Sequence, residues 1–472
     1  MLRSVTGEAF YERFELSEKE LGEAAMGCVV RGATKKATGE RFACKTFLLE
    51  SVKNKRDQKH ILATLRNEID LLRSLDHPNI IRAYECYEFD GNLHLIMELC
   101  TGGDLGARTY SEKQAAAVVR QCLSAISYSH ARGIVHRDLK FENVLWESPA
   151  PDAQLKLIDF GMSRRFRKDV KMTERVGTVY TMAPEVLQGE YTEKADLWSV
   201  GCITFHLIAG EPPFECQDEV DTMKRLLAVS YFWPRHSKVS SEAKEFVYNL
   251  LKFDPRKRWS AEQALSSRWI KTFAPDREPM DKNTRRASLD TRMLSSMRNY
   301  TSYGPLRRTA LMVVAYNLQP EKLQEIRAEF MAFDKEKNGT ISRQELETAL
   351  AERGVEPAEI LQLFESLDVD QSGKIHYLEF LAATVEAMGS MEEERLRHAF
   401  DRLDTDGSGF ITKENLREVV GPIYGDASIQ KAIQDADRSK DGRIDLGEVR
   451  HTRARGERVS VQSSPKLYNE YE

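Results

Sequence analysis

His136-Arg137-Asp138-Leu139-Lys140-Phe141-Glu142-Asn143 decides the reading of this chain. Within it Asp138 can accept a hydroxyl proton, Lys140 can steady an anion, and Asn143 can ligate a hard divalent cation. Downstream, after the strand-like L-K-L-I, stands Asp159-Phe160-Gly161, and then Gly177-Thr178-Val179-Tyr180-Thr181-Met182-Ala183-Pro184-Glu185. Upstream lie a glycine-containing stretch, Leu21-Gly22-Glu23-Ala24-Ala25-Met26-Gly27-Cys28-Val29, a lysine in A-C-K (Lys45), and a glutamate in R-N-E-I-D (Glu68). Lys45 falls on an expected third strand and Glu68 on an expected amphipathic helix. Each string alone is common; their order and spacing together are not.

Moving a phosphoryl group needs phosphates held in place, magnesium bound and the attacking hydroxyl aligned, with little covalent help from protein. The chain supplies a residue for each task, and over about residues 14 to 270 it resembles the protein kinase family. The resemblance implies a bilobal α+β fold, strand-rich then helical, with ATP between the lobes. Leu21, Gly22, Gly27 and Val29 would fold over the nucleotide, and Lys45, held by Glu68, would pair with its phosphates. Glu98 and Cys100, in the hinge after Met97, and Asp104 beyond it would complete the nucleotide cleft. Asp159 and Asn143 would hold Mg²⁺, and Asp138 would take the substrate proton with Lys140 beside the moving phosphate. Lys140 together with Thr178 looks like the serine/threonine branch. By the same resemblance Glu185 pairs with Arg258, and Asp196 braces the catalytic loop. Ala24 replaces the usual middle glycine, and Val179 and Thr181 replace more usual residues; these read as tuning. Asp104 and Glu142 line the expected substrate groove and favour basic peptides. Glu174 is placed to stand in for a phosphate facing Arg137.

The last third of the chain repeats. Loops opening on Asp334, Asp368, Asp404 and Asp437 stand 33 to 36 residues apart, each flanked by helical apolar spacing. A twelve-residue loop with oxygen ligands, a bend glycine and a closing bidentate carboxylate is a Ca²⁺ site. The second loop meets this fully through Asp368, Asp370, Ser372, Lys374 and Glu379, and the fourth through Asp437, Ser439, Asp441, Arg443 and Glu448, the seventh residue of each giving its carbonyl. The first uses Asp334, Glu336, Asn338, Thr340 and Glu345, with Glu336 longer than the usual Asp. The third has Asp404, Asp406, Ser408 and Phe410 but closes on Asn415, so weak or absent Ca²⁺ binding is expected there. Ile341, Ile375, Ile411 and Ile444 occupy the eighth position, which suits pairing of the loops two by two.

A kinase segment, a basic helix-prone junction and four such loops together resemble the calcium-dependent protein kinases of plants and protists. The expected fold class is therefore multidomain: a bilobal kinase followed by an all-α, calmodulin-like EF-hand domain. The segments read as an extension (1–13), kinase domain (14–270), junction (271–320), EF-hands (321–450) and flexible tail (451–472). Leu289, Met293, Met297 and Tyr300 form one junction stripe, and Leu306, Ala310, Val313 and Val314 another, broken at Gly304-Pro305. The resemblance implies that the junction blocks the kinase until Ca²⁺ lets the EF-hands take up a junction helix. Arg285-Arg286-Ala287-Ser288-Leu289 looks like the target of an Arg-directed kinase, so Ser288 is a candidate for autophosphorylation or for a pseudosubstrate role.

Bulk properties agree with ordinary globular domains: 472 residues, 41% hydrophobic, 30% charged. A formal net charge of −5 gives no pull toward nucleic acid. Seven cysteines without a C-x-x-C pair read as reduced thiols. Neither a signal core nor a membrane-spanning run is evident, and Leu2 offers no myristoylation site. The expected partners are Ser/Thr protein substrates and the chain's own junction, and the expected state is a cytoplasmic monomer.

Overall fold

The computed structural model describes residues 2–4, 7–24, 28–48, 55–167, 170–234, 238–275, 285–388, 397, 400–401, 403–404, 408–420, 429–430, 433–434 and 436–451. Gly27 and Asp406 lie outside the described residues, as do the side chains of Ala24, Ser288 and Leu289 and the tail beyond 451. The chain forms two compact units. One contains Met1–Ala287 with Asn317–Leu381; the other contains Ser288–Tyr316 with Ala382–Glu472.

The first unit opens with a six-stranded sheet, in spatial order β1-β5-β6-β4-β3-β2, formed by β1 (Leu2–Ser4), β2 (Phe14–Ala24), β3 (Cys28–Lys35), β4 (Arg41–Phe47), β5 (Ala83–Phe89) and β6 (Asn92–Met97). The pairs β2–β3, β3–β4, β4–β6 and β5–β6 are antiparallel, while β1 joins β5 in parallel and covers that edge. The N-terminal residues are thus part of the sheet. The helix Gly7–Arg13 inserts Phe10, fully buried, among Phe14, Tyr87, Phe89 and His94. β4 is central and almost wholly buried, and its register sets Lys45 against Val30 on one side and Leu95 on the other.

Below the sheet, helices form the larger core. The helix Glu112–Ala131 begins where Ser111 and Gln114 satisfy each other's backbone N–H groups, a reciprocal cap that fixes its first turn. Val118, Val119, Cys122, Leu123 and Ile126 then recur at helical spacing and are buried. The helix Lys194–Ala209 is apolar on every side and runs through the middle, with Leu197, Trp198, Val200 and Phe205 enclosed. Arg258, wholly buried, is bidentate to Glu185 at 2.5 and 3.0 Å and ties to this core the Gly177–Glu185 stretch, which closes the activation segment that the kinase resemblance implies.

The same unit includes the first pair of ion loops. Ile341 and Ile375 pair across the short antiparallel strands Thr340–Ser342 and Lys374–His376. This lobe is fastened to the kinase segment by a buried ion pair: Arg327 donates to both carboxylate oxygens of Glu147, at 2.8 and 2.9 Å. Burial alone would raise the Glu147 carboxyl, but the Arg327 bonds and the nearby Lys156 charge hold it below its ordinary value. Gly339 packs on His77, and the Leu378 N–H donates to Asp76. Arg82 lies over the Tyr377 ring at 5.3 Å.

In the second unit the junction is two helices, Arg285–Thr301 and Pro305–Asn317, separated at Gly304-Pro305 as the sequence predicts. Met293, Met297, Tyr300, Leu306 and Ala310 are buried. Ser296 donates to the Ala383 carbonyl at 2.8 Å, and Tyr303 and Arg307 converge on Glu386 at 2.6 and 2.9 Å. Ile411 and Ile444 bridge the third and fourth loops. No described helix is long and apolar enough to cross a membrane.

Removing one partner of a buried, fully bonded ion pair costs about 3–5 kcal/mol, because the other charge is stranded. Arg327→Ala should therefore lower the stability of the first unit by an amount of that order, read by urea unfolding of the intact chain. A change below measurement error would mean that Glu147 finds another cation.

Candidate active site and ion loops

The nucleotide side of the cleft is organised around one ammonium. Lys45 Nζ lies 3.0 Å from Glu68 Oε1 and 2.9 Å from Asp159 Oδ1. Burial would lower the lysine's pKa, but the two carboxylates outweigh it and keep the group protonated. In return the ammonium, working against burial, holds Asp159 below the ordinary carboxylate range. The helix Lys55–Ser74 brings Glu68 inward, and Asp159 sits at φ 60°, a left-handed conformation costly for a non-glycine residue. Three separate elements thus meet at one charge.

The transfer side is equally tight. Lys140 Nζ donates to Thr178 Oγ1 at 3.0 Å and lies 3.2 Å from Asp138 Oδ2. Thr178 donates to Asp138 Oδ1 at 2.7 Å, and Asn143 Nδ2 donates to Asp138 Oδ2 at 3.1 Å. With its amide nitrogen spent on Asp138, Asn143 has its carbonyl oxygen to offer a cation, which with the ionised Asp159 is the donor set Mg²⁺ takes. Asp196 braces this loop from below, accepting the backbone N–H groups of His136 and Arg137 at 2.9 Å each and a bond from His130 at 2.8 Å. Arg137, at φ 73°, needs that support.

Other predicted residues fall around this centre. Gly22 pairs with Val30, and Val29 with Thr46, in the strands that roof the cleft; Leu21 is half exposed. The Glu98 side chain is turned into the protein, 2.7 Å from Lys156 Nζ, so its backbone is what it can offer a nucleotide. Burial raises the Cys100 thiol far above its ordinary value and keeps it un-ionised. Asp104 bridges to Leu145 beside the catalytic loop. Tyr180 donates to Glu142 at 2.8 Å. Glu174 accepts from Arg137 at 2.6 Å and from Arg164 at 2.9 Å, the two-arginine cradle a phosphate would take.

The ion loops show what their closing residue does. In the first loop one Glu345 oxygen accepts from the N–H of Glu336 and the other from that of Ser342. Glu379 likewise reaches Val369 and Asp370 with one oxygen and His376 with the other, and Glu448 reaches Arg438 and Ser439, then Asp445. Asn415 has a single acceptor, spent on the Thr412 N–H and hydroxyl at 2.7 and 2.8 Å. In place of a second carboxylate oxygen it has an amide nitrogen, which donates and cannot accept an N–H from the start of the loop. Asp334, Asp368, Asp404 and Asp437 each accept from the bend glycine with one oxygen. Ser372 and Ser408 donate to the carbonyls of Lys374 and Phe410, at 3.0 and 3.2 Å. Glu336 bonds Asn338 at 2.9 Å, and Ser439 bonds Asp437 at 3.1 Å. Asp441 accepts the Arg443 N–H at 2.9 Å.

Burial pushes Asp334 up to about 7 and Glu379 up to about 8. Carboxylates gathered and buried to that extent fit a bound cation, and Ca²⁺ is the ion that takes this many oxygens. The residues sequence reasoning passed over are Arg327, Glu147 and His376. The last lies inside the second loop at its ninth position, where its imidazole was visible.

This geometry defines a protein kinase joined to EF-hands. A protein kinase domain model matches residues 16–270, and an EF-hand domain pair model matches residues 323–385 and 393–452. Calcium-dependent protein kinase 33 of Arabidopsis thaliana is 36% identical over 92% of this chain and 83% of its own length. Calcium-dependent protein kinase 2 of Zea mays is 35% identical over 91% and 84%. The chain belongs to the calcium-dependent protein kinase family.

Glu174→Ala should lower kcat about tenfold, equivalent to about 1.4 kcal/mol of transition-state stabilisation, and leave the KM for ATP near its original value. Steady-state kinetics with a serine peptide reads both; an unchanged kcat would free Arg137 and Arg164 of any part in catalysis.

Proposed function

We propose that this chain transfers the ATP γ-phosphoryl group to serine or threonine of protein substrates, and that Ca²⁺ on its own EF-hands turns the activity on. The observation that carries the reading is the Asp138–Lys140–Thr178–Asn143 cluster set beside the Lys45–Glu68–Asp159 triad. In it Asp138 orients the acceptor hydroxyl and takes its proton, and Lys140 steadies the transferring group. Asp159 and Asn143 would hold Mg²⁺, which would supply positive charge to offset that of the phosphates. Leu21, Gly22, Val29 and the backbone at Glu98 and Cys100 enclose the nucleotide. Asp104 and Glu142 draw substrates with basic residues near the acceptor. Phosphate transfer to an arginine-containing serine peptide, with Ca²⁺ or chelator and an Asp138→Asn control, tests the whole. Transfer that is calcium-dependent and at least about 10³-fold weaker in the variant supports it; none in wild type under either condition removes it.

Regulation follows from the junction. Its bonds from Ser296, Tyr303 and Arg307 to Ala383 and Glu386 support a direct junction–EF-hand contact. At low Ca²⁺ the junction blocks the kinase, and Ca²⁺ binding favours the arrangement in which the EF-hands hold it. A chain ending at Asp276 should show no difference between Ca²⁺ and chelator; persistent dependence would place the switch elsewhere. Seven unpaired cysteines support work in a reducing cytoplasm, and a switch contained in one chain supports a monomer.

The first, second and fourth loops are the working Ca²⁺ sites, and the third is weak because Asn415 has one arm where the others have two. Asn415→Glu should raise the number of Ca²⁺ ions bound by one in calorimetric titration. An unaltered count would show that loop three is limited by something other than its closing residue.

A further inference from the structure

The four loops differ at their ninth position: Ser342, Thr412 and Asp445 bring oxygen, whereas His376 brings nitrogen. Ca²⁺ draws its ligands from oxygen and commonly takes the ninth through water, so an imidazole there adds little for it. Zinc and its transition-metal neighbours gain from that substitution, since imidazole is among their preferred ligands.

The second loop sets this nitrogen among carboxylates. His376 Nε2 lies 3.5 Å from Asp370 Oδ2 and 3.2 Å from Ser372 Oγ. One ligand atom each from Asp370, His376 and Glu379 falls within 4.8 Å of the other two. An ion with bonds of about 2.0–2.2 Å can draw these three together by short side-chain movements and keep a fourth position for water or Ser372. The frame around them is firm. His376 ends a strand paired with Thr340–Ser342, its backbone N–H is bonded to Glu379, and the Leu378 N–H donates to Asp76.

We propose that the second loop is a two-metal-class site, taking Ca²⁺ through its oxygens or a zinc-class divalent ion through His376, Asp370 and Glu379, one excluding the other. The proposal rests on the reading of this loop as an ion site and adds a second kind of ion to it. It carries a structural consequence. One guanidinium nitrogen of Arg132, in the kinase segment, lies 3.0 Å from His376 Nδ1 and 3.2 Å from Nε2. An ion on Nε2 takes the lone pair that this guanidinium nitrogen faces and sets a second positive charge against it. Zinc-class binding therefore exchanges this contact for a metal bond, whereas Ca²⁺ held by oxygens leaves it in place.

The test uses the full chain freed of divalent ions, with Co²⁺ alone as the spectroscopic probe. The expected result is visible d–d absorption of a nitrogen-containing site, removed by one equivalent of Zn²⁺ and suppressed by Ca²⁺. His376→Asp should abolish the bands and weaken Zn²⁺ at least about tenfold, while equilibrium dialysis still finds Ca²⁺ on the loop. His376→Gln, with circular dichroism beside it, guards against loss of the fold and should lose the bands likewise. Bands that survive in both variants, or Zn²⁺ that binds without competing with Ca²⁺, would overturn the proposal by placing the metal elsewhere. Ca²⁺ binding with no His376-dependent Co²⁺ signal would overturn this proposal alone; neither ion binding the loop would overturn the ion-site reading with it.

Discussion

A charge taken out of water must meet its opposite, and this constraint shapes the molecule from the cleft to the EF-hands. Lys45 is the first instance. Its ammonium is buried and stays ionised because Glu68 and Asp159 flank it at 3.0 and 2.9 Å. A strand, a helix and a loop are thereby set in one arrangement, which leaves the Asp159 carboxylate ionised and partly exposed. Arg258 with Glu185 repeats the device at the end of the activation segment, and Arg327 with Glu147 repeats it between the first EF lobe and the kinase segment.

The ion loops are the same constraint left open. Their carboxylates converge with backbone N–H groups as their main partners, and burial raises Asp334 and Glu379 well above the usual range. A divalent cation supplies the missing charge. The closing glutamate matters twice over, since one oxygen holds the start of the loop and the other its end. Asn415 makes the second bond with its one acceptor oxygen and has no second oxygen to offer the start of the loop. The third and fourth loops are still joined, because the pairing of Ile411 with Ile444 uses backbone groups and asks nothing of the ion.

Most of the site was legible in the sequence because phosphoryl transfer and Ca²⁺ binding both fix residue types at fixed spacing. Asp138, Lys140 and Asn143 share one short stretch, and each ion loop is read from twelve consecutive residues. Glu68 and Lys45 were also within reach, being the acid and base of a helix and a strand whose periodicity is clear. What could not be read is long-range and without local pattern. Arg327 looks like any polar residue of an amphipathic helix, and only the fold brings it to Glu147. Glu98 illustrates the converse: its place in the hinge is legible, but the buried Lys156 that turns its side chain inward lies far along the chain. The N-terminal strand and helix escaped because three residues carry too little pattern to announce a strand.

Gly339 shows how closely the two halves of the first unit have been fitted. At φ +78° it makes the bend that its ion loop requires, as Gly373, Gly409 and Gly442 do in theirs. Those three have open space where a Cβ would stand, whereas at Gly339 the added atom would come within 2.2 Å of the His77 ring. One position therefore answers to two masters, the curvature of a metal-binding loop and the surface of a neighbouring catalytic segment. Any side chain at this position would have to displace the His77 ring as well as strain the loop, so the damage would reach the catalytic segment even with no ion bound.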